Sequence, residues 1–535
     1  MSLTLEQAIG QKLMLSFTGL EPPPQLLETI ARQHVGGVTL SRYRNVAHPA
    51  QVRALSVAIQ QAAAAAGQAP LLIAADQEGG QLMAIGEGVT HFPGNLALGA
   101  TGSTELARQA GYALGQELAA MGVNVNYAPA CDVNSNPHNP VIGTRSFGED
   151  PQAVAQLAAA MVTGLQAAGV AATAKHFPGH GDTASDSHYG APVVRYAETR
   201  LRQVEWPPFV AAIQAGVRLM MTGHIVLPAF NEDASLPATL SPRLLRSVLR
   251  DDLGFSGPII SDALDMGAIE QGMGLVIDAI AASAAGVDLL LLIADWPTQE
   301  SVYAGLLQAA RRRLLSAGNV MASAERVLAL KSWLAPMEQP PLEIVGCAEH
   351  RALAQEIADR AVTLVRDGVG LLPLRLKPEA RLAVIIPQPV DLTPADISSQ
   401  VTCTLAEAVR RRHANVTEFK VAHHPTSDEI AALRQQVADF DMVIVGTINA
   451  YAQAEQPALV KELLAIGVPV IVVALRMPYD LQACPTAPTY LCSYSILDPA
   501  MEAVARLLWG EIPPLGQLPV SIPGLYPVGY SLDAD

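Results

Sequence analysis

The sequence predicts an α/β protein in two parts: an N-terminal (β/α)8-type TIM barrel over residues 1–335 and a smaller α/β sandwich over 347–535, joined by a linker at 336–346. Three features point there. Up to about residue 335, short apolar runs alternate with longer Ala/Leu/Gln-rich stretches, and parallel strands need crossovers of that length. Seven such runs fit a closed barrel better than an open sheet, with one strand still to be found. Beyond them, Pro336-Met-Glu-Gln-Pro-Pro341 places three prolines in six residues, which removes donors and fixes φ.

The expected barrel strands are 35–40, 71–75, 123–128, 170–174, 219–222, 258–261 and 287–293. Between them, small and aliphatic residues recur at helical spacing, as in 51–66 and 151–168. The most apolar region, 274–294, carries Asp278 and Asp288, so it reads as a buried helix followed by a strand and not as a membrane span. In the second part, 347–365 reads as an amphipathic helix. The apolar runs 382–386, 442–447 and 468–475 read as strands alternating with helices such as 427–438. No Gly-x-Gly-x-x-Gly turn follows the first strand, so a dinucleotide signature is missing.

Composition narrows the function. The 535 residues carry a net charge of −16 and are half hydrophobic, which is ample for large cores. With that acidic balance and no Lys/Arg-rich stripe, neither nucleic acid nor an anionic membrane is an expected partner, since both are polyanions. Five scattered cysteines without a Cys-x-x-Cys pair read as buried, reduced thiols. The opening ten residues lack a basic segment and place Glu6 where an apolar export segment would run, so the expected compartment is the cytoplasm.

Several expected strands end in functional side chains: Asp76, Asp132, Lys175-His176, His224 and Asp262. In a parallel barrel those ends share one rim, so residues distant in sequence line one pocket. Each alone reads equally as a helix cap or loop anchor; five at one phase of the repeat point to a site. The densest cluster is Ala174-Lys-His-Phe-Pro-Gly-His-Gly-Asp-Thr-Ala-Ser-Asp-Ser-His188. Pro178, Gly179 and Gly181 give this loop little bulk, so it can approach a ligand and move. Asp186 and His188 are two apart; in an extended stretch they face the same way, and the carboxylate orients the ring and raises its basicity. The spacing of His176, His180 and His188 fits no metalloprotease helix, so no metal is expected.

In Ile259-Ile-Ser-Asp-Ala-Leu-Asp-Met266, Asp262 is expected at the rim and Asp265 near a helix start, as a cap. A rim carboxylate opposite an acid/base on a mobile loop suits double displacement at an acetal carbon. The carboxylate attacks, and the other group protonates the departing oxygen and later deprotonates water. Asp76 can accept from vicinal hydroxyls and Arg145 can donate to hydroxyls or a carbonyl; each equally suits a structural ion pair.

Together, Asp76-Gln-Glu-Gly-Gly80, Asn139-Pro-Val-Ile-Gly-Thr-Arg-Ser-Phe-Gly148, the 175–188 cluster ending in Asp-Ser-His, and Ser261-Asp-Ala-Leu264 resemble family 3 glycoside hydrolases, in their β-N-acetylhexosaminidase branch. The resemblance runs from about 5 to 333. It continues more weakly through His350-Arg-Ala-Leu-Ala354 and Gly516-Gln-Leu-Pro-Val-Ser-Ile-Pro523. It implies Asp262 as the nucleophile that forms a covalent glycosyl-enzyme and His188, oriented by Asp186, as general acid/base. Asp76, Arg145, Lys175, His176 and Asp132 are similar to residues that hold the terminal sugar. No metal or organic cofactor is implied. The implied substrates are β-linked N-acetylglucosaminides, cell-wall (muropeptide) fragments recycled in the cytoplasm among them.

The family pattern usually follows its Gly-Gly with an Arg and places another three residues later; here Gln81 and Ala84 stand there, and Ala191 replaces a common Leu. Two alternatives share the same residues. With a neutral imidazole as acid/base, phosphate could replace water as acceptor, giving a phosphorylase. A chain that kept the scaffold and lost turnover would be an amino-sugar-binding protein.

Overall fold

The computed structural model describes residues 3–230, 235–269 and 271–532, so the expected domain ends at 1 and 535 lie outside the described residues. The barrel strands are β1 (Leu13–Leu15), β2 (Gly37–Leu40), β3 (Leu72–Ala75), β4 (Val125–Asn126), β5 (Ala171–Phe177), β6 (Leu219–Thr222), β7 (Ile259–Ser261) and β8 (Leu290–Leu292). They run parallel in the order β8-β1-β2-β3-β4-β5-β6-β7. A bridge from Ile260 to Leu289 joins β7 to the start of β8 and closes the barrel. β1 is the strand missing from the sequence reading: three residues just after the helix Leu5–Gly10 are too few to show a period.

Both faces of these strands are covered, which is why they read as unbroken apolar runs. In β1, Leu13 and Leu15 point out to pack with Val38, Leu40 and Ile73 under the helices. Met14 points inward to Leu72, Tyr127, Leu219, Met221, Ile260 and Leu291. Each such side chain contributes about 1.5–3 kcal/mol by leaving water. Val327, Leu330 and Leu334 of the helix Ala317–Leu334 join the inner cluster. That helix sits at the amino-terminal end of the strands, where Lys331 Nζ donates to Gln11 Oε1 at 2.9 Å. The opposite rim is left for chemistry.

The second domain is a six-stranded sheet of β9 (Thr363–Asp367), β10 (Leu382–Pro387), β11 (Val416–Val421), β12 (Met442–Thr447), β13 (Val470–Ala474) and β14 (Thr489–Cys492). Its order is β9-β14-β13-β12-β10-β11, parallel except for the β9/β14 pair. The helix expected over 347–365 is shorter, Ala348–Ala361. β-Branched Val362, Thr363 and Val365 leave the helix, and residues 363–367 pair with β14 instead.

The linker is packed and not free. Met337 lies against Gly169, and Gln339 Nε2 donates to Ala120 O at 3.2 Å. Buried Glu117 receives Gly346 N at 3.0 Å and sits 2.9 Å from His350 Nδ1, tying the helix after the linker to the barrel. Near the open rim, Asn134 Nδ2 donates to Tyr479 Oη at 3.0 Å and Glu149 N to Pro519 O at 3.0 Å. The second domain is therefore fastened along the side of the barrel where the strands end.

Candidate active site

A cavity of about 400 Å³ opens at that rim. Asp76, Arg145, Lys175, His176, His188 and Asp262 all line it, with Tyr189 and Asp265 beside them and Pro394 and Ala395 reaching in from the second domain. Asp76 and Asp262, 186 positions apart in the chain, share this cavity because the strand ends converge.

One wall is a buried ionic lattice. Lys175 Nζ lies 2.6 Å from Asp76 Oδ1 and 2.7 Å from Glu78 Oε1. Arg145 holds Glu78 with two bonds, Nε to Oε2 at 3.0 Å and Nη2 to Oε1 at 2.8 Å. Burial would raise the Glu78 carboxyl, but the Arg145 and Lys175 cations overcome it and hold it down to about 2. Lys175 is likewise kept charged against its burial by Asp76 and Glu78. Two cations and two carboxylates thus balance, and Asp76, 38% exposed at its side chain, keeps an oxygen toward the cavity.

Glu78 has a testable consequence. Its depressed carboxyl contributes stability above its ordinary value of 4.5, and that contribution is lost as acidification carries the pH toward about 2. Glu78→Gln leaves two buried cations on one carboxylate and is expected to cost about 3–5 kcal/mol. Urea melts at neutral and acidic pH read both effects: a lower midpoint at neutral pH and a flatter fall below pH 4.5 than the parent shows.

His176 is set from behind by Asp132, whose Oδ2 is 2.7 Å from Nδ1. Asp132 also accepts from the backbone N–H groups of His176 and His180, the latter at 2.7 Å. Its side chain has no exposed surface. It therefore positions the ring and the loop, one layer behind the wall formed by His176. Burial opposes its ionisation, yet His176 and His180 hold its carboxyl below the usual range.

The 178–189 loop is folded over this frame. Asn139 Nδ2 donates to His180 O at 2.8 Å and to Thr183 O at 3.1 Å. His180 spans Thr183 Oγ1 at 2.6 Å and Ser187 Oγ at 3.1 Å, and burial beside His176 pushes its pKa down to about 4. Asp186 Oδ1 meets His188 Nδ1 at 2.6 Å and accepts from His188 N at 2.9 Å. The expected pairing is present, but its geometry is a turn and not an extended stretch, since Tyr189 N also donates to Asp186 O. A carboxylate that binds its own backbone two residues on closes such a turn without needing a strand. The tip is pinned to the segment after β7, with Gly267 N to His188 O at 3.1 Å and Ala268 N to Ser187 O at 3.2 Å.

A Cβ at Gly267 would lie 2.7 Å from His188 O. Gly267→Ala is therefore expected to push the loop tip away and lower kcat by about 10²-fold, the cost of misplacing a reacting group by an ångström. Steady-state kinetics with an unchanged melting curve checks this.

Asp262 follows β7 and accepts from Ala263 N at 2.8 Å. Burial would raise its carboxyl, but His176, His224 and His188 more than offset that, so it is held below the usual range. A charged carboxylate facing a cavity is the state a nucleophile needs. His224 lies beneath, bonded to Thr239 Oγ1 and Ala263 O, and steadies this turn. Asp265 is not a helix cap. The next helix begins only at Met273, and Asp265 instead accepts from Ile293 N at 3.0 Å.

Glu78 escaped the sequence reading although it stands two residues from Asp76; only the meeting with Arg145 and Lys175 reveals it. Pro394 and Ala395 lie in a segment with no chemical signature. Gln81 accepts from Thr144 and from Arg476 of the second domain, so a cation does stand near this position, supplied across the domain boundary. Ala84 is part of the barrel core. Among the described residues, no group of three or more His, Cys, Asp or Glu is arranged to hold a metal ion, and no helix is long and apolar enough to cross a membrane.

A barrel whose rim carries a charged carboxylate and a carboxylate-oriented imidazole, with a second α/β domain docked beside it, defines a class of glycoside-cleaving enzyme. The chain belongs to glycosyl hydrolase family 3: residues 4–330 match the family's N-terminal domain and 362–527 its C-terminal domain. The structure of a family 3 β-N-acetylglucosaminidase from Paenibacillus sp. str. FPU-7 superposes with a TM-score of 0.92 at 38% identity, covering 97% of this chain and 99% of that one. Among curated relatives, β-hexosaminidase A of Pseudoalteromonas piscicida is 34% identical, over 97% of both chains. A β-N-acetylglucosaminidase/β-glucosidase of Cellulomonas fimi is 30% identical, over 96% of this chain and 93% of its own.

Proposed function

We propose that this glycoside hydrolase is a retaining, exo-acting β-N-acetylglucosaminidase that releases terminal β-linked N-acetylglucosamine through a covalent glycosyl-enzyme. The observation that carries the reading is the single cavity lined by both Asp262 and His188, the latter paired to Asp186 at 2.6 Å. Asp262 attacks the anomeric carbon. His188 Nε2, the nitrogen not bonded to Asp186, gives its proton to the departing oxygen and then takes one from the incoming water. Asp76, Arg145, Lys175 and His176 hold the sugar, and Asp132 holds His176. A cavity of about 400 Å³ has room for a terminal sugar. Cytoplasmic cell-wall (muropeptide) fragments are the substrate source that the family resemblance implies.

The test is a hydrolysis screen of aryl β-glycosides differing only at the 2-position. The 2-acetamido substrate is expected to lead in kcat/KM by tenfold or more; equal rates on the 2-hydroxy substrate would contradict the assignment. The same screen in phosphate buffer identifies the acceptor. His188 presents an imidazole where a carboxylate would repel an anion, which favours testing phosphate. A sugar 1-phosphate among the products would make the enzyme a phosphorylase.

A further inference from the structure

Beside the cavity lies a buried ion pair that takes no part in the chemistry above. Arg476, just after β13, donates through Nη1 to Asp396 Oδ2 at 2.5 Å and to Ser398 Oγ at 3.3 Å, and through Nη2 to Gln81 Oε1 of the barrel. The two side chains are 7% and 0% exposed. Asp396 organises its own loop: Oδ1 accepts from Ser398 N at 2.9 Å and Oγ at 2.6 Å, and Oδ2 from Leu392 N at 3.2 Å. The loop is stitched to the barrel as well, by Ile397 N to Gln81 O at 3.1 Å and Gln81 Nε2 to Ala395 O at 3.4 Å.

What this clamp fixes is the loop's inner edge, Pro394 and Ala395, both on the cavity wall. Ala395 packs with Val141 and Ile142 against Leu82. Pro394, Ala395, Leu82 and Val141 form one apolar patch of the cavity wall, apart from the charged Asp76, Lys175 and Asp262. Strand ends form the floor of a barrel site, so a wall delivered from a second domain stands further out, along the path of a group leaving the sugar. An aryl ring or the apolar face of a second sugar can pack against these side chains, which carry no polar group.

We propose that Arg476 is a positioning residue for the leaving group: through Asp396 it holds Pro394 and Ala395 as a second-domain wall against which an extended leaving group packs. The proposal rests on the glycosidase reading of the cavity. Arg476 and Asp396 touch no reacting atom; they act through the loop. Loss of the clamp weakens substrates in proportion to how far their leaving groups reach.

The experiment compares two substrates with one N-acetylglucosaminyl part. In the β-azide, three atoms in line depart; in the β-1,4-linked disaccharide, a whole amino sugar does. Arg476→Gln and Pro394→Gly are expected to lower the disaccharide-to-azide ratio of kcat/KM tenfold or more, chiefly through KM of the disaccharide. Arg476→Lys, which keeps a cation facing Asp396, is expected to recover a large part. Pro394→Gly leaves the ion pair intact, so it reports on the wall even if Arg476→Gln folds poorly, and melting curves show which case holds. A ratio within threefold of the parent in the folded variants, or equal losses on both substrates, overturns the proposal alone. A parent that turns over neither substrate overturns the glycosidase reading and this proposal with it.

Discussion

Replacing Asp262 by alanine is expected to lower kcat on an aryl β-N-acetylglucosaminide by about 10⁴-fold or more, the scale on which loss of a nucleophile falls. The fold should survive. Among the described residues, the Asp262 carboxylate's one hydrogen bond to the backbone is to its neighbour Ala263, and β7 is held by β6 and by the bridge to Leu289. Burial opposes the Asp262 charge while His176, His224 and His188 favour it, so the two effects of its removal oppose each other and the melting temperature should change little. The space vacated opens on the cavity and, in the proposed mechanism, faces the anomeric carbon. Added azide should enter it and restore turnover, releasing a glycosyl azide of inverted configuration. An alanine variant that keeps parental activity would remove Asp262 from the chemistry.

The second large effect is expected at His188. His188→Ala should lower kcat by about 10²–10⁴-fold on substrates whose leaving groups need a proton, the contribution of a positioned acid/base. On a 2,4-dinitrophenyl glycoside, whose phenolate departs unassisted, the first step should be nearly spared. Asp186→Asn should fall between parent and His188→Ala. Its Oδ1 bonds both the ring and the backbone N–H of His188, so the amide keeps the turn while losing the charge that supports an imidazolium. Kinetics over a leaving-group series separates the two steps. A loss in kcat/KM, which reports the first step alone, that is uniform across the series would make His188 a binding residue.

How much of this was legible in the sequence depended on how local each signal is. Barrel strands buried on both faces, such as Leu72–Ala75 and Leu219–Thr222, announce themselves as apolar runs. Leu13–Leu15 does not, being three residues long. In the second domain, Val416–Val421 is half exposed along an edge and carries Glu418 and Lys420, so it lacks an apolar run, and Thr363–Asp367 hides behind a helix. Site residues at strand ends, Asp76, Lys175 and Asp262, share a phase that topology turns into proximity. Asp186 and His188 are neighbours in sequence, so their pairing was legible too, though not its turn geometry. Glu78, Pro394 and Arg476 were not, because each acquires its part only from a tertiary meeting: with Arg145 and Lys175, with the cavity, and with Asp396. Asp265 misled for the same reason, since the residue it bonds is Ile293, on the next strand's end.

The central claim is that a carboxylate of this chain, and not the substrate's own 2-acetamido oxygen, attacks the anomeric carbon. A 5-fluoro N-acetylglucosaminyl fluoride slows release of the intermediate enough to trap it, and peptide mass spectrometry then locates the adduct. One sugar on the peptide containing Asp262, lost in Asp262→Ala, is the predicted result. Steady turnover of ordinary substrates with no adduct, or an adduct on another residue, would contradict it.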